Sequence, residues 1–166
     1  SSIDVFVCRH PTDAPAQAIE ALQQVLSRHA VAMVEQYIDG IELTVGILEE
    51  RALPPIRIVP RSEFFDFEAK YRSPDTEHRF DTGLPPDVVQ QVQALAETAH
   101  RTIGCRDLSR VDMMIDREHR PFLIEINTMP GFTPKSLLPE AAAKVGIPFV
   151  ALVDRLARRA AARGAG

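Results

Sequence analysis

The sequence predicts an α+β domain in which helices pack on an antiparallel sheet. Three observations predict it. Residues 110–127 read as two short strands that alternate apolar and polar side chains around a polar turn, Asp116 to Arg120. Residues 31–48 read as two more strands around an Asp39-Gly40 turn signal. Three other stretches place apolar residues at helical spacing. At 166 residues, with 45% hydrophobic and 25% charged residues, the chain fits one domain, or a domain of two small lobes, with a real core. A net charge of -4 argues against a general nucleic-acid binder. No apolar run approaches the roughly 20 residues that span a bilayer, and no signal peptide opens the chain, so a cytoplasmic protein is expected.

Ile3 to Val7 reads as an apolar strand that starts abruptly, as if entering the middle of a larger fold. Thr12 or Asp13 can cap a helix with Pro15 in its first turn; Ile19, Leu22, Val25 and Leu26 give it an apolar face, and it should end near His29 or Ala30. Val31 to Ile38 and Glu42 to Leu48 are strands. Arg51 to Pro55 is a connection, and Ile56 to Val59 a strand stopped by Pro60. Phe64, Phe65 and Phe67 suit core or lid packing. Arg72 to Pro86 is the longest stretch without periodicity, as lids often are. Pro85-Pro86 opens a helix with Val88, Val92, Leu95, Ala96, Ala99 and Ile103 on one face, stopped by Gly104. After the hairpin, Pro130, Gly131 and Pro134 make a loop, and Ser136 can cap a helix beginning at Leu137. Pro148 opens the last helix, whose basic end, Arg155 to Arg163, suits a helix C-terminus. Cys8 and Cys105 read as reduced thiols, and the five histidines show no metal-ligand spacing.

The hairpin carries the chemistry. Side chains two apart share a strand face, so Arg110 and Asp112 lie on one face, and Glu125 and Asn127 on a face that can lie beside it. From spacing alone two readings stand. One is an amphipathic hairpin with its polar face in water, the ordinary case for half-exposed strands. The other is an oxygen-ligand site: Asp112, Glu125 and Asn127 suit a hard cation such as Mg2+ that keeps waters and phosphates in its other positions. A carboxylate bridging two such ions suits phosphoryl transfer, and Arg110 could face a developing oxyanion. Glu125 and Asn127 end the most apolar run in the chain, where a solvated strand would more often carry Lys, Thr or Ser.

Arg110-Val-Asp112, then Glu125-Ile-Asn127-Thr-Met-Pro-Gly131-Phe-Thr, then Ser136-Leu137, resembles the C-terminal part of the D-alanine–D-alanine ligases, members of the ATP-grasp superfamily. Order and spacing match throughout that run, and the resemblance extends from Ser1 to about Leu156. It implies the C-terminal part of an ATP-grasp fold over residues 1–166. It also implies that the N-terminal lobe and the first part of the ATP-grasp domain belong to a missing portion of the same enzyme.

The implied activity joins two D-alanines through an acyl phosphate, using ATP, for peptidoglycan precursor synthesis in the cytoplasm. The complete enzyme would be a homodimer. Two Mg2+ ions, replaceable by Mn2+, would be held by Asp112, Glu125 and Asn127, with Arg110 stabilising charge at the reacting carbonyl and phosphate. Glu35, Tyr37, Ile38 and Glu42 match the adenosine-binding segment, and Lys70 a phosphate-contacting lysine. Ser1 and Ser2 match the end of a glycine-rich loop over the nucleotide, and Tyr71 an active-site tyrosine that favours D-alanine over D-lactate as acceptor. The Gly131 N–H would help stabilise the tetrahedral intermediate, while Ser136 and Leu137 hold the carboxylate of the second D-alanine. One stretch departs from the family: Glu77-His-Arg-Phe-Asp-Thr-Gly83 stands where Cys-Pro-Ala is expected. Two rivals stay open, another ATP-grasp carboxylate–amine ligase and a fragment or binding module inactive on its own.

Overall fold

A computed structural model of the chain describes residues 4–8, 14–60 and 76–164. It divides into two compact units, Ser1–Ile38 with Ser62–Asp75, and Asp39–Arg61 with Thr76–Gly166.

In the smaller unit, helix α1 spans Ala14–Leu26, with a turn rather than helix from Ser27. Asp4 accepts a hydrogen bond from Arg28 and lies 2.9 Å from His29 Nε2. Neither strand expected here is seen among the described residues. Val5 to Val7 are exposed and form no strand, while Ile3 lies outside the described residues. Val31 to Ile38 forms none either, and Val31, Met33 and Val34 stand 80, 80 and 79% exposed. Apolar, β-branched composition suits a strand, but a strand also needs a neighbour to take its N–H and C=O groups. No strand among the described residues pairs with this one.

The larger unit is a sheet with helices on both faces. Its strands are β1 (Gly40–Leu48), β2 (Arg51–Ala52), β3 (Ile56–Pro60), β4 (Thr76–Arg79), β5 (Leu108–Asp116) and β6 (Pro121–Asn127). The order is β4-β3-β1-β5-β6 with β2 beside β1, and every pairing is antiparallel. Helix α2 (Pro86–Thr102) lies on one face, and α3 (Leu137–Lys144) and α4 (Phe149–Arg163) complete the unit. The expected connection after Leu48 therefore begins with a short strand, joined to β1 through Glu49 and Glu50 at φ 51° and 68°, a two-residue hairpin turn of the kind that needs positive φ. The aperiodic stretch also differs from expectation. Thr76–Arg79 is an edge strand paired to β3, so 76–79 is not lid. Residues 61–75, with Phe64, Phe65 and Phe67, lie outside the described residues.

Two apolar clusters hold the unit together. Leu43, Val45 and Ile47 of β1 and Val111, Met113 and Ile115 of β5 pack under Val88, Val92 and Ala96 of α2. This is the alternation read from sequence, with one change. Ile103 caps the helix and is exposed, and His100 takes the last inward position. His100 is fully buried, its Nδ1 2.7 Å from Ser109 Oγ and its Nε2 without a partner; burial lowers its pKa. On the other face Leu48, Leu53 and Ile56 pack against Leu138, Ala141 and Ala142 of α3 and Leu152 of α4. The basic end of α4 does more than match a helix dipole. Arg155 bonds Glu49, Arg159 bonds Asp107 at 3.0 Å, and Arg163 bonds Asp107. The Arg155 bond holds the Glu49 carboxyl below its ordinary pKa, and the Arg163 bond does the same for Asp107.

Candidate active site

Register builds the site. Thr44 of β1 pairs with Asp112 of β5, and Asp112 pairs with Glu125 of β6. One step along, Gly46 pairs with Arg110 and Arg110 with Asn127. Directly opposed residues project to the same side, with β-carbons on the order of 5 Å apart. Two oxygen-bearing rows therefore lie next to each other on one sheet face, the face that α3 partly covers. Glu42 belongs to that face too, between Met114 and Ile58. The hairpin that sets this register is fixed at its tip. Asp116 Oδ1 accepts the N–H groups of Glu118 (3.0 Å) and Arg120 (2.8 Å), and His119 takes a positive φ of 62°.

The expected alternation of β6 holds only in part. The register shifts between Asp112 and Met113, so Leu123 opposes Met113 and Phe122 opposes Met114, with Ile124 left over. Phe122 therefore shares the face of Met114 rather than that of Ile126. A bulge of this kind inserts one residue into one strand and re-aims the side chains beyond it. It leaves Glu125 and Asn127 in step with Asp112 and Arg110.

The cluster is tightly bonded. Arg110 Nε donates to Asp112 Oδ1 at 2.9 Å and Arg110 Nη2 to Oδ2 at 2.8 Å. Thr44 Oγ1, nearly buried, donates to Asp112 Oδ1 at 2.6 Å. Thr44 is not among the residues that the sequence singles out. Its one signal there is its place two residues after Glu42, in a strand whose pairing only the structure supplies. Arg110 Nη2 reaches to 4.0 Å from Glu125 Oε1, and the Glu125 side chain is 61% exposed. Asn127 Oδ1 accepts the Met129 N–H at 3.0 Å, which orients it and leaves its second lone pair. Among the described residues no three His, Cys, Asp or Glu side chains gather as a metal cage. The donor set here is two carboxylates and a carboxamide, all oxygen and partly open. That suits a hard cation completing its shell with water and phosphate.

The other predicted residues arrive from the C-terminal side. The loop after β6 is pinned by the Phe132 ring, 5.7 Å from that of Phe149. Gly131 lies against Ser136, whose Oγ would be 3.4 Å from a β-carbon built on Gly131. Ser136 occupies the cap position of α3, with Leu137 next, but its hydroxyl does not cap. It accepts the Thr133 N–H at 3.0 Å and shares a bond with Thr133 Oγ1 at 2.9 Å. The local Thr-x-x-Ser turn wins the hydroxyl, so the first-turn N–H groups of α3 have no side-chain cap. Leu138, in that first turn, sits over Gly46, the partner of Arg110. Arg110, Asp112, Glu125, Asn127, Gly131, Ser136, Leu137 and Glu42 thus belong to the larger unit. Glu35, Tyr37 and Ile38 lie in the smaller. Ser1, Ser2, Lys70 and Tyr71 lie outside the described residues.

Comparison with known proteins gives one answer. The family described as D-ala D-ala ligase C-terminus matches residues 1–158. A D-alanine–D-alanine ligase of Geotalea uraniireducens is 40% identical over 97% of this chain and 51% of its own length. One from Marinobacter nauticus is 42% identical over 90% and 46%. Among solved structures, a Bacillus anthracis D-alanine–D-alanine ligase complexed with ATP superposes with a TM-score of 0.70 at 31% identity, over 84% of this chain and 44% of that one. The D-alanine–D-alanine ligase of Coxiella burnetii gives 0.75 at 25% identity, over 94% and 40%. The chain spans about half the length of the curated relatives it matches. No helix among the described residues is long and apolar enough to cross a membrane.

Proposed function

This chain belongs to the D-alanine–D-alanine ligase C-terminal family, and on that premise we propose that it supplies the metal, oxyanion and acceptor parts of an ATP-dependent D-alanine–D-alanine ligase. The observation that carries the reading is the paired rows, Thr44–Asp112–Glu125 and Gly46–Arg110–Asn127, open beside the first turn of α3. The N-terminal lobe and the first part of the ATP-grasp domain would come from sequence upstream of Ser1.

In this mechanism a D-alanine carboxylate oxygen attacks the γ-phosphorus of ATP, and ADP leaves. The amine of a second D-alanine attacks the acyl carbon, loses a proton, and expels phosphate. Arg110, already locked in place by two bonds to Asp112, faces the charge that develops on phosphoryl and carbonyl oxygens. Asp112, Glu125 and Asn127 would hold Mg2+, which supplies charge neutralisation between polyphosphate and carboxylate. The α3 N-terminus and Ser136 receive the acceptor carboxylate, and the Gly131 N–H the tetrahedral oxyanion. Glu35, Tyr37, Ile38, Glu42 and Lys70 would hold the nucleotide, with Ser2 closing over it and Tyr71 facing the acceptor. The product would serve peptidoglycan synthesis in the cytoplasm, and the complete protein would be a homodimer.

The test is dipeptide formation by the full-length protein, read as ADP release and D-alanyl-D-alanine mass. Arg110→Ala and Asp112→Asn should each lower kcat about 100-fold or more, and residues 1–166 alone should make no dipeptide. A full-length protein that activates another carboxylate, and not D-alanine, would sink the substrate assignment. Its rival, another carboxylate–amine ligase, draws support from the likeness to a VanG D-Ala:D-Ser ligase of Enterococcus faecalis, with a TM-score of 0.71 at 26% identity.

A further inference from the structure

The stretch Glu77 to Gly83 departs from the resembled family, and the structure shows what part of it touches. His78 of β4 lies opposite Ile58 of β3, and so on the face that carries Glu42 and the hairpin rows. Its Nδ1 is 2.7 Å from Glu140 Oε2, with both side chains about one-third exposed. Glu140 lies in the first turn of α3. Two residues on, Phe80 packs into the cluster beneath α3, and Lys144 Nζ from the last turn of α3 stands 5.2 Å over its ring. Strand β4 and the residue that follows it therefore hold α3 at both ends. The polar grip falls on the turn that begins with Leu137, and the soft, cation–π grip falls one turn later.

We propose that His78 and Glu140 are positioning residues: their bond fixes the height and tilt of the α3 N-terminus over the sheet, and with it the seat for an acceptor carboxylate. This role rests on the function proposed above. A helix of 8 residues is about two turns long, so its tilt is set over a short span. Leu138, Ala141 and Ala142 fix which face of the helix meets the sheet, but apolar contacts are non-directional and set its height and tilt less sharply than a hydrogen bond does. A hydrogen bond from the edge strand to residue 140 fixes both at the end where it matters. Ser136 offers no capping bond of its own to stiffen this turn. Glu140 also puts a negative charge one turn from the place where a substrate carboxylate would dock. Its bond to His78 draws that carboxylate toward β4.

The experiment uses the full-length protein with steady-state kinetics for acceptor, donor and ATP separately. His78→Ala and Glu140→Ala should each raise the acceptor KM about fivefold to tenfold, with kcat and the ATP KM within about twofold. The double variant should be no worse than either single one. His78→Asn places an amide N–H near the position of Nδ1 and should restore the acceptor KM to within about twofold of wild type. A wild-type enzyme that makes dipeptide, with His78→Ala leaving the acceptor KM unchanged, overturns the proposal and leaves the proposed function standing. So does failure of His78→Asn to rescue. A wild-type enzyme with no ligase activity fails the functional reading instead. Thermal melts of each variant separate the two meanings of a loss: a lowered melting point with unaltered KM assigns the pair to stability alone and also overturns the proposal.

Discussion

Replacing Thr44 by Val tests whether the site is organised by register. The exchange keeps the shape of a side chain that is only 3% exposed and removes one O–H. That O–H donates to Asp112 Oδ1 at 2.6 Å, and hydrogen bonds to charged groups contribute about 1.5–3 kcal/mol. The lower end applies here. Asp112 keeps the two-pronged bond from Arg110 and is not stripped of partners, and its side chain is 20% exposed and open to water. The expected loss is about 1.5 kcal/mol, a shift of about 0.7 M in the urea midpoint at a slope of about 2 kcal/mol per M. In an Asp112→Asn background the same exchange should cost about 1 kcal/mol less, because the charged acceptor has gone. If Asp112 holds Mg2+ as proposed, Thr44→Val in the full-length enzyme should also raise the Mg2+ concentration for half-maximal rate about fivefold, since a ligand held by a second group loses its orientation. A Thr44→Val protein as stable as wild type, with an unaltered Mg2+ requirement, would refute the idea that β1 positions Asp112 for the proposed metal role.

Two further outcomes are expected from the fold. A β-carbon on Gly40 would stand 1.9 Å from the Ile115 carbonyl oxygen, and backbone cannot step aside, so Gly40→Ala should cost at least about 3 kcal/mol; a melt within a degree of wild type would show that β1 and β5 can separate there. Glu49 and Asp107 have pKa values lowered by their arginine partners from ordinary values of 4.5 and 3.8, so their ion pairs stabilise the fold fully above those values and lose that effect as pH falls through the lower, folded values. Glu49→Gln/Asp107→Asn should therefore flatten the acid limb of a pH-stability profile below about 4.5, and an unchanged acid limb would rule these pairs out as its source.

Whatever depends on a segment's own period is legible in the sequence. The α2 face as far as Ala96 and the alternation of β1 and β5 repeat at fixed spacing, the Asp116–Arg120 turn is local, and the structure has them. Features that need a second segment are not legible. Val31 to Ile38 reads as a strand before a turn signal, yet no strand among the described residues pairs with it. Thr76–Arg79 has no apolar period, yet β3 recruits it as an edge. The bulge at Ile124 changes the face of Phe122 and leaves that of Ile126, and nothing in Pro-Phe-Leu-Ile-Glu-Ile-Asn announces it. The grouping of Arg110, Asp112, Glu125 and Asn127 on one face is legible because their spacing is local. Thr44 is not, because its role exists only through cross-strand pairing. Ser136 looks like a cap in sequence because the competing turn to Thr133 depends on loop geometry.

The two faces of the sheet also explain why this site can exist without unfolding its host. The α2 face is apolar apart from the buried His100–Ser109 pair and takes a 17-residue helix along it. The opposite face cannot be treated the same way, since Glu42, Thr44, Arg110 and Asp112 lie on it. Gly46 resolves the conflict. A β-carbon there would come within 3.2 Å of Leu138 and of Leu53, so glycine lets α3 sit close to the sheet over one end of β1 only. The apolar burial of Leu138, Ala141 and Ala142 is thereby confined beside the polar rows instead of on top of them. A larger residue at 46 would lift α3 away from Arg110, and a longer helix in its place would cover Asp112. The short helix, the glycine beneath it and the uncovered carboxylates are one solution to a single constraint: a face that must be packed for stability and left open for chemistry.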